Sequence, residues 1–110
     1  MREDSVGQET SSRAEGADEV KIGSFSQEAK EAFQSWALKN TAVRYFEYPN
    51  GSDTSIWVRL APEKYTTKKD AEVIALQLAR DYKTQTGYDG KVSVTIWHFE
   101  KNEEFAKGRL

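Results

Sequence analysis

The longest regular pattern of apolar and polar positions runs from residue 66 to residue 90. Ala71, Ile74, Ala75, Leu78, Ala79 and Tyr82 recur at steps of three and four, which predicts one stripe on a helix over about residues 67–86. Val73 and Leu76 widen the stripe, so a sheet or a second helix must cover it. Thr67 is placed to cap the first turn, and Asp70 stands where a capping box has its reciprocal acceptor. Gly87 suits the left-handed residue after the helix, and Tyr88-Asp89-Gly90-Lys91 reads as a turn with Gly90 at positive φ. At about 1.5 Å per residue such a helix spans roughly 30 Å.

A second helical pattern precedes it. Ser24 or Ser26 caps a helix reaching about Lys39, with Phe25, Ala29, Phe33, Trp36 and Ala37 on one face and Ala32 beside them. Gln27, Lys30, Glu31, Gln34 and Lys39 fall on the wet side. Trp36 on this stripe is expected in the core.

The remaining patterned segments are strands. Residues 41–48 and 54–60 are rich in β-branched and aromatic residues and flank Pro49-Asn50-Gly51-Ser52-Asp53, which predicts a hairpin. Residues 92–99 form a third strand, Glu100-Lys101-Asn102-Glu103 a polar turn, and residues 104–109 a short, charged edge strand. The fold class that follows is α+β: a two-layer sandwich of order α-β-β-α-β-β. Two helices pack on one face of a four-stranded mixed or antiparallel sheet. A right-handed crossover makes the third strand parallel to the second if it lies beside it; beside the first strand it would be antiparallel to that strand.

Strand parity then divides the sheet into two faces. Ile56, Val58 and Leu60 share one side, as do Val92, Val94 and Ile96 with His98. These aliphatic sides are the floor for the helices. Trp57, Arg59, Trp97 and Phe99 are thereby sent to the opposite face, joined by Phe105 and Lys107, with Ala106 and Leu110 inward. In the first strand Val43 and Tyr45 oppose Ala42, Arg44, Phe46 and Tyr48, a pattern that fits either side. An open face bearing Trp, Phe and Arg predicts a surface that is covered or used, although cross-strand pairing alone also accounts for such rings.

Composition narrows the function. The chain has 110 residues, 31% charged and 37% hydrophobic, with a net charge of −2, which disfavours a general phosphate-backbone binder. Residues 1–23 are polar, with Val20 and Ile22 the apolar pair near their end, and read as a disordered tail or linker before an α+β domain over 24–110. Cysteine is absent, so disulfides and thiol nucleophiles are excluded. No apolar run has the roughly 18 residues of a membrane span, and Met1-Arg2-Glu3-Asp4 opens no signal peptide. The expected location is cytoplasmic; an upstream leader or lipid anchor would make the chain a secreted domain or a lipoprotein. Asn50-Gly51-Ser52 matches a glycosylation triplet, which matters only in a secreted eukaryotic chain.

Candidate chemistry is sparse. The single His98 lacks spaced Cys or His partners, so no metal site is expected, and no cofactor motif is present. No Gly-x-Ser-x-Gly elbow occurs, and Glu103-Glu104 and Asp18-Glu19 fall in expected loop or tail. The element order over about residues 24–99 resembles that of small bacterial interaction domains, including BON and secretion-ring-building modules, and the resemblance implies an assembly role. The expected function is therefore a non-catalytic module that binds another protein or itself through Trp57, Arg59, Trp97, Phe99 and Phe105. The alternatives are a ligand or single-stranded nucleic-acid binder using the same rings, with nucleic acid disfavoured by charge, and a small enzyme with a cleft near His98.

Overall fold

The computed structural model describes residues 25–110. The predicted tail, residues 1–23, lies outside them. Helix α1 spans Gln27–Asn40, strand β1 Val43–Glu47, strand β2 Ser55–Leu60, helix α2 Lys68–Thr86, strand β3 Ser93–Trp97 and strand β4 Glu104–Arg109. The sheet order is β1-β2-β3-β4. β1 and β4 are antiparallel to their neighbours, and β2 and β3 are parallel. This is the α+β sandwich expected, with the third strand beside the second.

The helix ends follow from their caps. Ser26 Oγ accepts from the Ala29 amide at 3.1 Å, and Thr67 Oγ1 accepts from the Asp70 amide at 3.0 Å. Asp70 does not close a capping box; its carboxylate accepts from the Thr66 hydroxyl at 2.8 Å. Gly87 ends α2 at φ 79°, donating its amide to the Lys83 carbonyl at 3.0 Å. Gly90 does not take positive φ. The Tyr88 ring packs on it instead, and a Cβ there would stand 2.7 Å from the Tyr88 oxygen.

The core lies between the helices and the inner side of the sheet. Ile56, Val58, Val94 and Ile96 are fully buried beneath Ala71, Ala75, Leu78, Ala79 and Tyr82 of α2 and Phe33 and Ala37 of α1. Each large aliphatic or Phe side chain buried this way contributes about 1.5–3 kcal/mol. Trp36 is partly buried and stacks on Phe33 with 5.6 Å between ring centroids. Val73, at 52% exposed, falls outside the stripe, and Leu110 at the strand end is 39% exposed rather than inward.

Two departures from the pattern matter. First, the β1–β2 register shifts between Val43 and Tyr45, so both Val43 and Phe46 face the core while Arg44 and Tyr45 face out. An alternation that favoured neither side is resolved by a bulge. Second, Lys30, expected on the wet side of α1, is 1% exposed. Its ammonium donates to the Gly51 carbonyl at 3.0 Å and to Asp53 Oδ1 at 2.7 Å, and sits 4.5 Å from the Tyr48 ring centre. The hairpin loop folds over α1 and turns a solvent position into a buried anchor. Asn50 and Gly51, both at positive φ, shape that loop.

Candidate functional site

The helix-free side of the sheet is built by the register. On β2, Trp57 lies between Glu47 of β1 and Thr95 of β3. One step along, Arg59 lies between Tyr45 of β1 and Trp97 of β3, and Trp97 pairs with Glu104 of β4. Directly opposed residues in a sheet share a face, so these side chains form two adjoining rows pointing away from the helices. The Trp57 and Trp97 rings meet edge to face, with 5.3 Å between centroids and 68° between planes. Trp57 remains 36% exposed, whereas its neighbours Ile56 and Val58 are fully buried.

An open depression of about 500 Å³ occupies this face, lined by Tyr45, Glu47, Trp57, Arg59, Trp97 and Asn102. The Tyr45 phenol donates a hydrogen bond to Glu47. That bond to a carboxylate raises the Tyr45 pKa above its ordinary value. Arg59 is pinned at the β3–β4 turn: Nη1 donates to the His98 carbonyl and to the Lys101 carbonyl at 2.9 Å, and Nη2 to Asn102 Oδ1 at 3.1 Å. The guanidinium is thus a strut between strand and turn. The Trp97 indole N–H is buried and has no acceptor among the described residues.

Of the five residues expected at this site, Trp57, Arg59 and Trp97 come together and two do not. Phe99 and Phe105 pack on Tyr65, just before α2, with centroid distances of 5.3 and 5.1 Å. The reason is local. β3 ends at Trp97, so alternation does not extend to Phe99, and the β3–β4 register shifts between Ile96 and Trp97, which places Phe105 at the irregularity. The Tyr65 hydroxyl holds this corner, accepting from the Leu60 amide at 2.8 Å and donating to the Trp97 carbonyl. Tyr45, Glu47 and Asn102 were missed. Glu47 was legible only through the hairpin register that sets it opposite Trp57, and Asn102 only through the turn that Arg59 organises.

His98 is turn scaffolding. Its Nδ1 accepts from the Glu100 and Lys101 amides at 3.0 and 3.1 Å, which fixes the loop above β3. No group of three or more metal-ligating side chains occurs among the described residues. No described helix is long and apolar enough to cross a membrane. The chain matches no family model, no curated protein and no solved structure. The site's own geometry is therefore the basis for a functional reading.

Proposed function

We propose that this chain is a non-catalytic interaction module that binds protein, a partner or a second copy, through the helix-free face of its sheet. The observation that carries the reading is the Trp57–Trp97 pair standing outside the core above an open depression. Trp57 is exposed and Trp97 half-buried beside it, and tryptophans grouped outside a core are the residue type that dominates binding energy at protein interfaces. The pinned Arg59 supports it by holding the face rigid before any partner arrives.

Size constrains the partner. Four strands about 4.8 Å apart, each about 17–20 Å long, give a face of roughly 350 Å². A standard interface buries about 800 Å² per partner, so contact confined to this face suits a short segment or a transient encounter. The nucleic-acid alternative is weakened by the Glu47 carboxylate in the depression and by an Arg59 whose donors serve the turn.

The test is association of the wild-type chain, by sedimentation for self-assembly and by affinity capture for a partner, against Trp57→Ala and Trp97→Ala. Each variant is expected to keep the wild-type circular dichroism spectrum and lose association. Association unchanged in both folded variants would refute the reading.

A further inference from the structure

We infer that the depression receives an arginine side chain from an extended segment of the partner, its guanidinium lying on the Trp57 ring with its fork on the Glu47 carboxylate. This rests on the sheet-face reading above and names the chemistry of what the face takes.

Glu47 and Trp57 are directly opposed in the β1–β2 register and point to the same face. Opposed side chains start about 4.5–5.5 Å apart at Cβ, so one planar group can cover the ring and still reach the acid. Among the described residues the Glu47 carboxylate has a single hydrogen-bond partner, the Tyr45 phenol, and no ion-pair partner. An ionised carboxylate has about four acceptor positions, so most of its capacity is open. The cation already in the depression does not use it, because both Arg59 Nη atoms donate into the β3–β4 turn. Beside that pinned guanidinium and Asn102, the depression offers a carboxylate flanked by the rings of Tyr45, Trp57 and Trp97. Aromatic faces are negative and attract cations, as does the carboxylate.

Arginine fits better than lysine. Its guanidinium is planar, less strongly hydrated than an ammonium, and able to stack on an aromatic face while binding a carboxylate through two N–H groups. An enclosed cage would suit a free small cation. This depression is open, which suits a side chain carried on a bound segment.

The experiment uses the full chain labelled with ¹⁵N, following the indole N–H signals of Trp57 and Trp97. The probes are three acetylated and amidated tripeptides: Gly-Arg-Gly, Gly-Lys-Gly and the uncharged Gly-citrulline-Gly. The arginine peptide is expected to bind at the indoles about tenfold more tightly than its citrulline isostere, with the lysine peptide between them. Glu47→Gln is expected to reduce arginine-peptide affinity to the citrulline level and leave citrulline binding unchanged. Added salt should weaken the arginine and lysine peptides and leave the uncharged citrulline peptide unchanged. Equal binding of the arginine and citrulline peptides, an unaltered arginine affinity in a folded Glu47→Gln chain, or no indole shift with any peptide would each overturn the inference. The wider reading fails separately, on association that survives Trp57→Ala and Trp97→Ala.

Discussion

Lys30 is the residue whose environment departs most from its chemistry, and its replacement gives a quantitative test of the core. The ammonium is buried against Gly51 and Asp53, while the Asp53 side chain is still 53% exposed. Lys30→Met keeps most of the stem and removes the charge. Two charge-assisted hydrogen bonds are lost, each about 1.5–3 kcal/mol in place. Against this, the desolvation cost of the ammonium disappears and Asp53 rehydrates, so the net loss should be about 1–2.5 kcal/mol. Asp53→Ala should cost more, about 2–4 kcal/mol, because it leaves a buried cation facing one carbonyl and the Tyr48 ring. The double variant should resemble Lys30→Met alone, so the non-additivity should equal the Asp53→Ala cost, about 2–4 kcal/mol. Urea unfolding followed by tryptophan fluorescence measures all three, and each kcal/mol should lower Tm by about 4–8 °C. If Asp53→Ala costs less than Lys30→Met, or the two effects simply add, the loop is not held in the way described.

Two further outcomes follow from close packing and from buried phenols. Gly108 is buried under α2, and a Cβ there would stand 2.9 Å from the Leu76 backbone nitrogen and 3.0 Å from the Ala75 Cβ. Gly108→Ala should therefore destabilise the domain by about 1–3 kcal/mol in thermal unfolding, despite the usual gain from restricting the unfolded chain; an unchanged or raised Tm would contradict this. Burial raises the pKa values of Tyr48 and Tyr82 well above the ordinary 10.0. A phenol raised in the fold favours folding fully below pH 10, and that contribution is lost as pH climbs above it. Absorbance at 295 nm should show these two tyrosines ionising together with loss of the circular dichroism signal, above the range where exposed phenols titrate. Smooth titration of all five tyrosines with an unchanged spectrum would refute it.

Elements governed by nearby residues were readable from the chain. Thr67 and Gly87 mark the ends of α2, Ser26 caps α1, and alternation at Ile56-Trp57-Val58 fixes which side of β2 is wet. What escaped depends on distant contacts or on breaks in period. Lys30 is buried by a loop some twenty residues further along. A helical wheel carries no record of that loop. A bulge lets Val43 and Phe46 share the inner face, and a second irregularity turns Phe105 toward Tyr65. The candidate site was thus half visible: its two indoles and its arginine lie on regular strand, whereas Tyr45 and Glu47 sit beyond the bulge and Asn102 in a turn.

The arrangement as a whole depends on adjacent residues of β2 facing opposite ways, and paired charge insertion measures that directly. Trp57→Lys should yield a folded chain, losing about 1–2 kcal/mol of ring contact in urea unfolding, because the ammonium reaches water. Ile56→Lys, one position away and fully buried, should abolish the cooperative transition. If instead Trp57→Lys unfolds the chain as completely as Ile56→Lys, the indole belongs to the core and the sheet has no free face to offer a partner.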